Sequence, residues 1–279
     1  MVQRLSSRYI AGPTLDDALR VVRKLNAKGK LATIDVLGEE ITSPGEARAI
    51  AGQYLDVLAR VDAEGLDANV SVKLTGFGLE LDLDLCRENL EAVVGDAAAR
   101  GNFVRIDMED SSTTDRTLAL YRELRDAGRS NTGVVLQAYL RRTLGDLDGL
   151  ENVRLCKGIY VEPVEIAYKE FEAVRSNYVS CLEQIVEAGA YVGIATHDEY
   201  LIGEALRIVQ DVPRDRYEFQ MLLGVRPDRA DELVADGHRL RVYVPYGTQW
   251  YEYSMRRLQE NPKIAGYIAA DTVGRVLKR

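Results

Sequence analysis

Apolar residues along the chain gather in short β-branched or aromatic-rich runs. The longer segments between them repeat their apolar positions every three or four residues. The runs predict strands over 32–37, 69–74, 103–108, 133–139, 153–160, 191–197, 217–223 and 240–245. The intervening periodicity predicts helices over 44–63, 84–100, 114–127, 164–188 and 199–209. Strand starts recur roughly every 20 to 40 residues, the length of a βα unit with its right-handed crossover. Eight such units predict an α/β fold of the (β/α)8 type. An open doubly wound sheet is the competing arrangement, but its Gly-rich turn is missing: the first run is followed by Leu37-Gly38-Glu39-Glu40, and Gly76-Phe77-Gly78 reads as a simple turn. A further helix is predicted over 14–28, capped by Thr14 with Asp16 and Asp17 in its first turn, and is expected to close the base of the barrel. With no linker or low-complexity stretch, 1–279 is expected to be one domain. Residues 1–30 then form an N-terminal helical extension, and 263–279 a terminal helix or tail.

Composition narrows the functional classes. Hydrophobic residues make up 46% and charged residues 29%, which excludes a disordered chain. The formal net charge is −8 with basic residues scattered, so nucleic acid is not an expected partner. No apolar h-region opens the chain and no stretch is long enough to span a bilayer, which points to the cytoplasm. Cys86, Cys156 and Cys181 are widely spaced and read as free thiols. With only His197 and His238 available, and no GxSxG, a catalytic metal and a serine-hydrolase triad are both disfavoured.

Candidate chemistry lies where polar residues interrupt the apolar runs near their C-terminal ends, since those ends surround the mouth of a barrel. Lys73, Asp107, Glu109, Gln137, Tyr139, Arg154, Lys157, Thr196, His197, Asp198, Gln220, Tyr243 and Tyr246 are such residues. Each also has a structural reading. Lys73 could turn outward among the helices, His197 could be a hydrogen-bonded core histidine, and Asp107 could pair with Arg105, two residues away on the same strand face. After the eighth run, Thr248 is a candidate N-cap for a helix ending before Pro262. Tyr253, Arg256 and Arg257 on it would form either a salt-bridged surface or a lid presenting planar donors to a carboxylate.

The segments SVKLTGFGL, VRIDMEDS, VLQAYLRRT, VRLCKGIYVEP, GIATHD, YEFQMLLGVR, RVYVPYG and YEYSMRRLQENP, in this order, resemble the proline dehydrogenase family, flavin-dependent enzymes of proline catabolism. The resemblance implies a distorted (β/α)8 barrel with a capping helix over its C-terminal mouth and FAD at the strand ends. It implies that Lys73, Arg256 and Arg257 hold the carboxylate of L-proline, and that Leu222, Tyr243 and Tyr253 enclose its ring. Asp107 and Arg154 would be catalytic, Arg154 as the cation nearest the flavin. Met108, Gln137, Arg154, Cys156, Lys157, Gly158, Thr196 and His197 would hold the cofactor. Two positions depart from the family pattern: Asp198 stands where Asn is expected, and Ile159 where a small residue is common. The length suggests a single-activity form, with a quinone as the expected electron acceptor, a separate aldehyde dehydrogenase taking the product, and peripheral membrane contact. Two rival readings of the same residues are a Schiff-base aldolase-like barrel acting through Lys73 or Lys157, and a non-catalytic amino-acid-binding barrel.

Overall fold

The structure is a computed structural model that describes residues 9–38 and 41–248. Eight parallel strands close into a barrel: β1 (Leu31–Val36), β2 (Ala68–Val72), β3 (Val104–Ile106), β4 (Thr132–Gln137), β5 (Asn152–Cys156), β6 (Tyr191–Ala195), β7 (Tyr217–Leu222) and β8 (Leu240–Tyr246). The order around the barrel is the order in the chain, and β8 pairs with β1 through Ala32↔Val242 and Thr33↔Tyr243. Helices α1 (Leu15–Asn26), α2 (Pro44–Ala63), α3 (Leu83–Ala99), α4 (Thr114–Asp126), α5 (Thr143–Asp146), α6 (Phe171–Glu187), α7 (Glu199–Ile208) and α8 (Pro227–Ala235) connect or flank them.

Capping chemistry sets several of these boundaries. Thr14 with Asp17, and Ser43 with Glu46, form reciprocal capping boxes at α1 and α2, and Pro44 occupies the first turn of α2, where its missing N–H costs nothing. Two expectations need correction. Helix α1 does not close the base. The residues just before it bond to the mouth end of β8 (Ala11 N–H to Pro245 O, Gly247 N–H to Gly12 O), and the helix then runs down the outer wall against β8 and β1 before the chain enters β1. Its Ala18, Leu19 and Val22 are fully buried there. Also, α6 begins only at Phe171. The stretch from Val164 instead folds beside the loop after β4, where Arg141 N–H bonds Ile166 O and Tyr168 N–H bonds Tyr139 O, so its backbone is used in pairing rather than in a helix.

The period of two along each strand separates two environments. Ile34, Val70, Val72, Val104, Ile106, Val134, Leu136, Val153, Leu155, Val192, Ile194 and Phe219 point out and bury against the helices. The inward positions are largely polar. Asp35, Lys73, Arg105, Asp107, Arg154, Glu218 and Arg241 are all buried there, four cations against three carboxylates among the described residues. Glycine makes room for this interior. A Cβ on Gly133 would overlap the Arg105 guanidinium, and one on Gly193 would lie 2.5 Å from Gln220 Nε2. Tyr246 takes the outward parity of β8, opposite to Tyr243.

Candidate active site

The network at the mouth is built from side chains within three residues of the strand ends. Lys73, just past β2, donates to both oxygens of Asp35 on β1 at 2.9 Å and to the Tyr243 hydroxyl on β8 at 3.1 Å. Tyr243 in turn donates to Asp107 Oδ2 at 2.9 Å. The other oxygen, Oδ1, accepts from Ser71 Oγ at 2.6 Å and from Arg154 Nη1 at 2.7 Å. Arg154 Nη1 also donates to Ser71 Oγ at 3.0 Å, and Arg154 Nε to Gln220 Oε1 at 2.5 Å. The charges alternate Asp35, Lys73, Asp107, Arg154 across the opening.

Burial alone would raise the Asp107 pKa, but Arg154, Lys73 and the hydrogen bonds from Ser71 and Tyr243 outweigh it and hold the carboxyl below its ordinary range. One atom of the network is left over: the buried Nη2 of Arg154 has no acceptor among the described residues. Leaving such a donor unpaired costs about 1–3 kcal/mol.

The alternative pairing of Asp107 with Arg105 is not formed. Arg105 reaches toward the base of the barrel, donating to Val134 O at 3.2 Å and to Asn152 O at 3.0 Å, and burial next to Arg154 pushes its pKa down to about 9. Lys73 faces the interior, not the helices. Sequence parity singled out Lys73, Asp107, Arg154, Gln220 and Tyr243, but missed Asp35, Ser71, Glu218 and Arg241. For the first two the signal was present: Asp35 shares the inward parity of Thr33 in ATIDVL, and Ser71 that of Lys73 in NVSVKL.

The expected cofactor residues form the adjacent arc of the mouth. Met108 is buried next to Asp107. Gln137 Nε2 donates to Glu109 O at 2.7 Å, and its Oε1 takes no hydrogen bond from a described residue. The chain after β5 is drawn across the end of β4, with Ala138 N–H on Cys156 O and Tyr139 N–H on Lys157 O, both at 2.8 Å. There Gly158, at φ +103°, lies so close to the Tyr139 ring that a Cβ would overlap it. Leu222 sits beside Tyr243 across the β7/β8 pair. Tyr253, Arg256 and Arg257 lie outside the described residues.

Thr196, His197 and Asp198 follow β6. Asp198 caps α7 by accepting from Tyr200 N–H, and also binds Arg175 through two bonds of 2.9 and 2.7 Å and Lys157 at 3.2 Å. An aspartate here therefore neutralises two cations of the rim. Its N–H bonds back to Thr196 Oγ1 at 3.2 Å.

His197 Nε2 accepts from the Leu222 N–H at 2.9 Å, which fixes the neutral Nδ1–H tautomer and leaves Nδ1–H without a described partner. Desolvation, with the charges of Arg226 and Lys157, pushes its pKa down to about 4. The unfolded histidine titrates near 6.5, so between these values the unfolded chain holds the extra proton. Stability should accordingly fall as pH drops from about 6.5 to 4, by an amount on the order of 1–3 kcal/mol from this group. Urea unfolding at pH 7 and pH 4.5 of the protein and of His197→Gln checks this. The variant should lose distinctly less stability between the two, and equal losses would show that the ring is not held neutral.

The family model described as proline dehydrogenase matches residues 18–269. The chain belongs to the proline dehydrogenase family. It is thereby an oxidoreductase of proline catabolism, in a family that is generally flavin-dependent. Proline dehydrogenase of Deinococcus radiodurans is 38% identical over 274 residues, covering 95% of this chain and 88% of that protein. Proline dehydrogenase 1 of Bacillus subtilis strain 168 is 37% identical over 267 residues, covering 94% and 88%. Among solved structures, proline utilization A from Bdellovibrio bacteriovorus, inactivated by N-propargylglycine, superposes with a TM-score of 0.86 at 25% identity over 93% of this chain. This chain spans 33% of that longer one. The family thus carries the barrel that the strand and helix spacing had predicted, and the aldolase-like and binding-only readings are not favoured.

Proposed function

We propose that this protein oxidises L-proline to 1-pyrroline-5-carboxylate with non-covalently bound FAD. The observation that carries the reading is the Nη2 donor of Arg154, which has no acceptor among the described residues and is buried beside Lys73, Tyr243 and Asp107 at the mouth of a family barrel. The residues around it suit a flavin. Gln137 offers a carbonyl oxygen with no donor among the described residues, His197 a neutral N–H, and Gly158 a backbone stretch in close approach to the Tyr139 ring. Met108, Cys156, Lys157 and Thr196 complete the set that would hold it. FAD, when bound, supplies the acceptor for the two electrons.

The chain's own groups do the rest. Lys73 offers a cation to the substrate carboxylate, with Arg256 and Arg257 as its expected co-ligands. Tyr243 and Leu222, adjacent across β7 and β8, form an apolar wall for the pyrrolidine ring, joined by Tyr253 in this reading. Holding carboxylate and ring at once fixes the carbon next to nitrogen, the positional gain from which such reactions draw much of their rate. Arg154 is held by Asp107, Ser71 and Gln220, so its positive charge needs no reorganisation as negative charge develops nearby. Lys73 is tied to Asp35 and Lys157 to Asp198, which leaves neither as an unpaired nucleophilic amine for a Schiff base.

In the same reading a quinone reoxidises the cofactor at a peripheral membrane contact of an otherwise cytoplasmic protein, and a separate aldehyde dehydrogenase consumes the product. Among the described residues no helix is long and apolar enough to cross a membrane. The test is the visible spectrum of the purified protein before and after anaerobic proline. A flavin spectrum that bleaches with proline and is released whole into the supernatant by acid is expected. A colourless protein, or flavin retained in the acid pellet, would overturn the corresponding part of the proposal.

A further inference from the structure

We propose that Glu218, deep in the barrel and out of reach of the mouth, is a positioning residue that sets the orientation of Arg154 through the side-chain amide of Gln220. The functional half of this inference rests on the reading that Arg154 faces the flavin. A glutamine amide presents an acceptor at one end and a donor at the other, and a half-turn exchanges them. In this barrel one end meets Arg154 Nε–H, a donor only, and the other meets the carboxylate of Glu218, an acceptor only. Gln220 Nε2 donates to Glu218 Oε1 at 2.6 Å, so Gln220 Oε1 must face Arg154 Nε, which it meets at 2.5 Å.

Glu218 is itself immobilised. Arg241 grips it through Nε at 2.6 Å and Nη2 at 3.0 Å, and is anchored by its Nη1 on Ala32 O at 2.7 Å. The absence of a side chain at Gly193 provides the space in which the Gln220 amide lies. Burial would raise the Glu218 pKa, but Arg241 and the hydrogen bonds keep it low and the carboxylate ionised.

Arg154 is thus held on two edges of its plane, by Gln220 at Nε and by Asp107 with Ser71 at Nη1, and Nη2 is left pointing in one direction. In the Glu218→Gln variant the side chain is an uncharged amide, so an NH2 donor can stand opposite Gln220. The Gln220 amide is then free to turn its NH2 onto the Arg154 Nε–H, where two donors meet and the bond is lost.

The experiment compares the protein with Glu218→Gln, Arg154→Met and the double variant. The Arg154 Nε–Hε signal in a 15N correlation spectrum, assigned by its disappearance in Arg154→Met, should exchange with water at least tenfold faster in Glu218→Gln. The reduction potential of the bound flavin should fall in Glu218→Gln, in the same direction as in Arg154→Met, and the double variant should fall no further than Arg154→Met alone. An unchanged Arg154 signal with only a lower melting temperature would reduce Glu218 to a structural ion pair with Arg241 and overturn the proposal. Additive potential shifts would overturn it too, by showing that Glu218 does not act through Arg154. If Glu218→Gln does not fold, Gln220→Met cuts the relay at its middle while sparing the Glu218–Arg241 pair, and the same outcomes apply. Should the protein itself hold no flavin, the proposed function falls while the Arg154 signal still decides the positioning.

Discussion

Replacing Asp107 by Ala should slow flavin reduction by proline at least ~10-fold, equivalent to ~1.4 kcal/mol of transition-state stabilisation, and should lower the melting temperature as well. Both effects come from one geometry. Asp107 accepts from Arg154, Ser71 and Tyr243 and lies 3.8 Å from Lys73, so its removal leaves two buried cations facing each other without the carboxylate between them. Breaking a buried pair on one side typically costs about 3–5 kcal/mol, because the remaining charge stays desolvated. At the same time Arg154 loses the partner that fixes Nη1, and Tyr243 loses the acceptor that fixes its hydroxyl. Asp107→Asn separates the two effects. The amide oxygen can still accept from Ser71 or Tyr243, so most of the fold is retained while the negative charge is gone. Anaerobic stopped-flow reduction, read beside melting curves, should find the Asn variant closer to the parent in stability than Ala but still slow. A folded Asn variant reduced at the parent rate would show that the carboxylate serves only the barrel's stability.

How far the sequence could go toward this site follows from where its information is stored. Outward residues such as Val70, Val72, Val153 and Leu155 must be apolar to pack on the helices, so strand positions and number were readable from short-range pattern alone. Lys73, Asp107 and Arg154 stood out because a charge inside such a run needs a partner. The partner's identity was not readable, since Asp107 meets Arg154 from β5 and Ser71 from β2, while its neighbour two positions back on β3, Arg105, turns to Asn152 at the other end of the barrel. Closure of the barrel, a non-local event, decides between those pairings. Glu218 and Arg241 were passed over for the same reason. Each is ordinary in sequence, and each acquires its role only when β7 lies beside β8 and Gln220 points across to β5. The segment from Val164 illustrates the converse: its local pattern favours a helix, and pairing with the loop after β4 overrides it.

Arg154→Met should lower the reduction potential of the bound flavin and slow its reduction by proline, with the protein still folded and flavin content reduced at most modestly. Methionine keeps much of the volume and removes the charge, so the buried interior changes from four cations against three carboxylates to an even balance. Reduction adds negative charge to the site, and a cation held in place by Asp107, Ser71 and Gln220 stabilises that charge without first having to reorient. A lysine at the same position supplies the control. Arg154→Lys retains the charge but cannot bond Gln220, Ser71 and Asp107 at once while leaving a further donor free, since an ammonium lacks the planar fork. Its potential should therefore lie between those of the parent and Arg154→Met, and its rate of reduction should stay well below the parent's. Potentials measured against a reference dye, with stopped-flow rates on the same samples, give the comparison. If Arg154→Met keeps the parent potential and rate while losing only stability, the orphaned Nη2 is no part of the chemistry, and the alternating row of charges across the mouth is a device of the barrel alone.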